Sequence, residues 1–221
     1  MTDDVMNTGP AGLLELRGVR LTLDGSHLFE ELDVAVPAGE VVTVMGPSGC
    51  GKSSLLAFIC GTLPPVFSAS GEACLDGEAL NGLPPEQRHV GILFQDDLLF
   101  PHMSVGENLS FGLPPAVSDR TRRHARVEAA LAEAGLTGMA DRDPDTLSGG
   151  QRGRVAMMRT LLSQPRALLL DEPFSKLDVD LRARFRTFVF AHARDNRIPT
   201  LLVTHDPSDA EAAAGPVIEL V

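Results

Sequence analysis

The sequence predicts an α/β fold: a mostly parallel sheet with helices on its faces, preceded by an antiparallel β subdomain and interrupted by an inserted helical subdomain. Three observations carry that expectation. The runs Glu40–Met45, Ala167–Asp171 and Thr200–Thr204 are continuously apolar or β-branched, the mark of strands buried on both faces. Helical stretches at 52–61 and 179–194 alternate with them, the βαβ rhythm of a parallel sheet. Between about 96 and 162 the rhythm stops and helical periodicity replaces it.

Residues 1–12 are polar and rich in Gly and Pro, a flexible tail, and 13–221 are expected to form a single domain. From Leu13 to Val36 apolar residues alternate (Leu14, Leu16, Val19, Leu21, Leu23, then Leu32, Val34, Val36). Asp24-Gly25 divides them, so an antiparallel hairpin region is expected. Glu40–Met45 then runs into a glycine-rich loop, and Lys52–Gly61 is a helix stopped by Gly61 and Pro64. Glu72–Leu75 and Val90–Phe94 are further short strands. Ser118–Ala134 is helical, with Val127, Ala130, Leu131 and Ala134 on one face and Arg120, Arg122, Arg123 and Arg126 as a solvated face. Gln151–Leu162 is a second helix, ending before Pro165.

Composition excludes several functions. The net charge of −11 speaks against a general nucleic-acid binder, which needs a basic face. No apolar run approaches the ~20 residues of a membrane helix, and the acidic Met1-Thr2-Asp3-Asp4 start is no signal peptide, so a cytoplasmic protein is expected. Cys50, Cys60 and Cys74 lack zinc-site spacing and suit a reducing compartment.

Two motifs carry chemistry. Gly46-Pro47-Ser48-Gly49-Cys50-Gly51-Lys52-Ser53 lies between a strand and a helix, the context that makes a phosphate loop. Its glycines let backbone N–H groups close around phosphates, and the helix start adds partial positive charge. Lys52 would neutralise β- and γ-phosphate oxygens, and the Ser53 hydroxyl would ligate Mg²⁺. Downstream, Asp171 ends an apolar strand and is placed to hold the metal. Glu172 points elsewhere because strand side chains alternate, a second carboxylate fit to activate water. His205 follows another strand at the sheet edge where ligands bind, fit for a γ-phosphate contact that fixes the attacking water. Leu147-Ser148-Gly149-Gly150-Gln151 is a second glycine-rich turn, in which Ser148 can cap a helix beginning near Gly149.

Together these residues resemble the ATP-binding subunit of an ABC transporter, over roughly residues 14–210. Gly46–Ser53 matches the Walker A motif, Leu168–Glu172 the Walker B motif and Leu147–Gln151 the family signature. Gln95 stands at the Q-loop, Ser175-Lys176-Leu177-Asp178 at the D-loop, and His205 at the switch histidine. The resemblance implies a P-loop NTPase fold, with a RecA-like sheet and the signature on the helical insertion. It implies ATP and Mg²⁺ as cofactors, with Ser54, Ser148, Gly149, Gly150, Gln151 and Asp178 joining the phosphate loop around nucleotide. It implies Gln95 beside Ser53 and Asp171 at the metal, and Gln95, Glu172 and His205 in hydrolysis. It also implies a head-to-tail homodimer with two ATP molecules sandwiched between Walker A of one chain and the signature of the other.

Residues 94–112 particularly resemble binding-protein-dependent importers, and the whole chain the ATPases near the thiamine and polyamine importers. That implies integral membrane permease subunits docking on the loop after Gln95, where Leu98, Leu99, Phe100 and Met103 cluster. It further implies an extracytoplasmic solute-binding protein reached indirectly, peripheral attachment to the inner face of the membrane, and no nucleic-acid partner. Soluble ABC-type ATPases form the alternative class; the repair members' coiled-coil insertions and the translation members' fused second copy are absent. A small-molecule kinase would have no use for 147–151 or His205. Two features depart from the pattern. Leu23-Asp24-Gly25 stands where an aromatic usually stacks on adenine, and the chain has neither Tyr nor Trp. The sequence stops at Val221 without the β-domain many importer ATPases append. Gly153, inside the helix after the signature, costs up to ~1 kcal/mol against Ala, and nothing in the sequence accounts for it.

Overall fold

A computed structural model describes residues 12–177 and 179–220. The tail expected at 1–12 therefore lies, apart from Gly12, outside the described residues, as does Asp178.

Two five-stranded sheets make the frame. The first is antiparallel. Its long strand β1 (Leu13–Leu23) pairs on one edge with β2 (Ser26–His27) and β3 (Leu32–Pro37), and on the other with β5 (Phe67–Leu75). The β1–β2 turn is Asp24-Gly25, both at positive φ (51° and 79°), the two-residue hairpin turn whose twist matches its strands. β6 (Glu78–Ala79) extends the β5 edge.

The second sheet is parallel throughout. Its order is β10 (Val217–Glu219), β4 (Val41–Met45), β9 (Thr200–Val203), β8 (Ala167–Asp171) and β7 (Val90–Leu93). β4, β8 and β9 are buried along their central residues, as their unbroken apolar runs require. Alternation divides their side chains between two cores. Val42, Val44, Ala167, Leu169, Leu201 and Val203 face the antiparallel sheet and α1 (Lys52–Cys60). Val41, Leu168, Leu170 and Leu202 face the helices of the other layer.

That other layer comes mainly from the segment between β7 and β8, which carries α2 (Val105–Gly112), α3 (Arg120–Glu133) and α4 (Gly149–Leu162). α5 (Val179–Asp195) and α6 (Pro207–Ala213) complete the helices. Val127, Ala130 and Leu131 of α3 are buried as expected. One arginine of its opposite face is half-buried instead of fully solvated. Arg123 donates to Ser110 Oγ (3.0 Å), to the Ser110 carbonyl and to the Val117 carbonyl (2.9 Å), because α2 ends directly beneath it and leaves carbonyls to satisfy. It ties α3 to α2.

Candidate functional site

Parallel strands end together, so the loops after β4, β9, β8 and β7 open on one edge of the sheet, where ligands of open α/β sheets bind. In that spatial order they carry the phosphate loop, His205, Asp171 with Glu172, and Gln95.

The phosphate loop is built by its glycines. Gly46 has no room for a side chain: a Cβ there would lie 2.7 Å from the Leu220 carbonyl oxygen and 2.9 Å from Cys50 Sγ. Gly51 caps α1 at φ 95°, with Leu28 of the antiparallel subdomain 3.0 Å from where a Cβ would stand. The hairpin thus returns against the loop. Lys52 is 8% exposed, and its Nζ donates to the carbonyls of Gly46 (2.8 Å) and Pro47 (2.7 Å). An ammonium held on two carbonyls inside the loop is positioned for anionic oxygens entering it. Pro47, Ser48 and Gly49 are exposed, Ser54 is half-buried, and Cys50 is a free, half-buried thiol.

Strand periodicity aims Asp171 at this loop. It shares its face with Ala167 and Leu169, the face that packs against α1, and it lies within the pull of the Ser53 hydroxyl. Burial pushes its carboxyl above the ordinary carboxylate range, against the pull of Ser53 and Lys52, with Glu172 adding to the rise. A divalent cation would reverse that imbalance by favouring the ionised form. Among the described residues no three His, Cys, Asp or Glu side chains form a metal cage. The oxygens of Ser53 and Asp171 are hard donors of the kind taken by Mg²⁺, which binds one or two protein oxygens and completes its shell with phosphates and water.

Glu172 leaves the strand at φ 48°, its N–H still bonded to the Val203 carbonyl (2.9 Å). Its Oε1 lies 2.8 Å from His205 Nδ1, so two strand ends meet through their side chains. The sequence does not show what holds His205. Thr204 Oγ1 donates to Asp209 Oδ2 (3.1 Å) and accepts from the Asp206 N–H (3.1 Å). Arg182 of α5 clamps both Asp206 (2.8 Å) and Asp209 (2.7 Å), and Arg186 adds a bond to Asp209 (2.9 Å). Asp209 is 1% exposed, so Asp209→Ala would leave two arginines without their buried partner. A loss of about 3 kcal/mol is expected, read as a fall in Tm of roughly 6–12 °C in a thermal scan.

The Leu147–Gln151 turn starts α4 through a capping box. Gln151 N–H donates to Ser148 Oγ (3.3 Å), and Ser148 N–H to Gln151 Oε1 (2.9 Å). The two glycines differ. A Cβ on Gly149 would meet open space, whereas one on Gly150 would lie 3.3 Å from Leu177 Cδ2 and 3.5 Å from the Lys176 carbonyl oxygen. Gly149 therefore faces open space, and Gly150 fits its own chain.

Gln95 is exposed beyond β7. Of the apolar residues after it, Leu99 packs on the core while Leu98 is 59% exposed. Phe100 stacks edge-on with Phe111 (centroids 4.7 Å apart) beneath the Arg159 guanidinium (5.1 Å). His102, Met103, Glu107, Ser110 and Phe111 line a shallow groove of about 440 Å³ there. Asn108, fully buried, shapes the loop: it donates to the carbonyls of Phe100, Met103 and Ser104 and accepts from the Phe100 N–H. Sequence reasoning missed Asn108. The signal for its helix was the Ser104-Val105-Gly106-Glu107 capping box, which the structure forms.

Comparison with known proteins agrees with this geometry. The ABC transporter family model matches residues 29–175. The chain is 50% identical over 200 residues to the uncharacterised ABC transporter ATP-binding protein YnjD of Escherichia coli K12, covering 90% of this chain and 92% of that one. It is 39% identical over 205 residues to the Fe(3+) ions import ATP-binding protein FbpC of the same strain, covering 93% of this chain but only 58% of the relative. Other relatives are named as spermidine/putrescine and thiamine import ATP-binding proteins. The solved dimer of the ATP-binding cassette MJ0796, in a post-hydrolysis state bound to ADP and Pi, superposes with a TM-score of 0.79 at 28% identity over 94% of each chain. The matched segment begins at Phe29, directly after the hairpin that leans on the phosphate loop, and ends in the turn after Glu172, and on it the chain belongs to the ABC transporter family, as an ATP-binding domain.

Proposed function

We propose that this chain is the ATP-hydrolysing subunit that powers solute import across the cytoplasmic membrane, closing head-to-tail as a homodimer on two ATP molecules. The observation that carries the chemistry is the meeting of Glu172 and His205, 2.8 Å apart, beside an Asp171 turned toward Ser53 and Lys52. The phosphate loop, residues 46–54, binds the triphosphate, with Lys52 shifting from loop carbonyls to phosphate oxygens. Ser53, Asp171 and Gln95 hold Mg²⁺, whose charge neutralises the phosphate oxygens when it is bound. Glu172 takes the proton of the attacking water, and His205 orients Glu172 and meets the γ-phosphate.

Each site is completed from the partner. The start of α4 offers free N–H groups and the positive end of a 14-residue helix, held by Ser148 and Gln151. Its own chain already supplies Lys52 and the phosphate-loop amides, so the second cradle serves the other subunit's ATP. The dimeric state of MJ0796 with ADP and Pi supports this arrangement. Base contact falls to the hairpin around Leu23, without aromatic stacking.

The groove after Gln95 is the docking place for the permease. Leu98 and Phe111 are large apolar side chains left 59% and 63% exposed beside it, and relatives are named as import proteins. Through the permease the chain attaches to the inner face of the membrane and serves a solute-binding protein indirectly. No helix among the described residues is long and apolar enough to cross a membrane. Leu98→Glu and Phe111→Glu are expected to abolish sedimentation with permease-containing membranes while leaving ATP turnover of the free chain within about twofold, because surface changes rarely disturb the fold. Recruitment untouched by both would favour the soluble ABC-type ATPase instead. The basic activity is tested by ATP turnover with Mg²⁺ and no phosphoryl acceptor, which a kinase would not sustain.

A further inference from the structure

The loop after Gln95, the turn after Glu172 and the start of α4 are joined by a charge cluster that neither phosphate binding nor hydrolysis uses. Asp97 is at its centre, its side chain 12% exposed. Arg152, in the first turn of α4, donates from Nε to Asp97 Oδ2 (3.4 Å) and from Nη1 to the Leu147 carbonyl (3.1 Å). Lys176 Nζ stands 4.0 Å from the same carboxylate oxygen and 3.3 Å from Asp96 Oδ1. One carboxylate thus faces two cations, one from the start of α4 and one from the turn after Glu172. One of those cations also grips the carbonyl that immediately precedes Ser148.

Gly153 belongs to the same arrangement. A Cβ at that position would lie 3.4 Å from Asp97 Oδ1, an ordinary van der Waals contact, so α4 runs directly past the carboxylate. Gly150 packs more tightly, a Cβ there standing 3.3 Å from Leu177 Cδ2.

We propose that Asp97 is a positioning residue. Through Arg152 and Lys176 it fixes the Leu147–Gln151 turn and the Ser175–Leu177 turn relative to the loop after Gln95. This rests on the reading that the α4 start completes a partner subunit's site. A partly exposed ion pair contributes little to folding but enough to bias such a placement.

The test is ATP-driven dimerisation of the full chain in the Glu172→Gln background, followed by gel filtration against ATP concentration. Asp97→Asn is expected to raise the ATP concentration for half-maximal dimerisation about fivefold, with Tm and ATP affinity of the monomer unchanged. Arg152→Gln is expected to act alike, and the double variant no worse than the worse single one. An unchanged dimerisation curve for Asp97→Asn would overturn the proposal, as would strict additivity in the double variant or a loss that follows a lowered Tm. Glu172→Gln failing to dimerise with ATP would sink the trans-site reading itself, an outcome visible before Asp97 is touched.

Discussion

Glu172→Gln is expected to bind ATP as well as the unaltered chain, to lose at least ~10² in turnover, and to elute as a dimer when ATP and Mg²⁺ are present. Glutamine keeps the shape and can still meet His205, which lies 2.8 Å from Glu172 Oε1. What it loses is basicity, since a neutral amide cannot take a proton from water at pH 7. A hundredfold fall corresponds to about 2.7 kcal/mol of barrier, within the span of a single general base. The phosphate-binding groups are untouched, so affinity for ATP is retained. Because hydrolysis is what would release the closed dimer, blocking it should let the dimer accumulate. Turnover and gel filtration on the same preparation check both halves. A variant that stays monomeric with ATP would sink the proposal that nucleotide joins two subunits. One that hydrolyses ATP normally would remove Glu172 from the chemistry.

Sequence legibility followed burial. β4, β8 and β9 were readable because both their faces are covered, which keeps them apolar or β-branched along their length up to Asp171. The aim of Asp171 followed from period two along β8, and the Ser148 cap from its spacing to Gln151. Elements held by backbone pairing alone left little trace. β5 begins at Phe67, well before the expected Glu72, yet residues 68–72 are all exposed and apolar alternation marks only its end. They are a strand because β1 pairs with them across a bulge, where a Cβ on Gly71 would lie 2.4 Å from the Gly18 carbonyl oxygen. β10 is three partly exposed residues carried on the edge of β4, and α6 is seven residues whose buried Asp209 looks like surface charge until Arg182 and Arg186 are seen against it. α2 was hidden by its two glycines and its brevity. The cluster around Asp97 was illegible for another reason: its members come from two loops and the start of a helix far apart in sequence, and only the fold brings them together.

Ser148→Arg and Lys52→Ala are each expected to abolish ATP turnover as single variants, and to recover a fraction of it when the two inactive proteins are mixed. Ser148→Arg breaks the capping box and places a bulky side chain where Gly149 leaves open space, but it touches nothing in the phosphate loop. Its monomer should bind ATP almost normally. Lys52→Ala removes the ammonium that lies on the Gly46 and Pro47 carbonyls, so its own loop holds ATP poorly. In a head-to-tail mixed dimer the intact Lys52 of one chain faces the intact Ser148 of the other, which makes one complete site. The second site inherits both lesions. If phosphate loop and α4 start instead served the same ATP within one chain, every site in the mixture would carry a lesion and turnover would stay absent. Turnover measured across mixing ratios should peak near equal amounts, because only mixed dimers carry a complete site. Recovery therefore depends on the two sequence motifs acting between chains, and its absence would return the Leu147–Gln151 turn to a purely structural helix start.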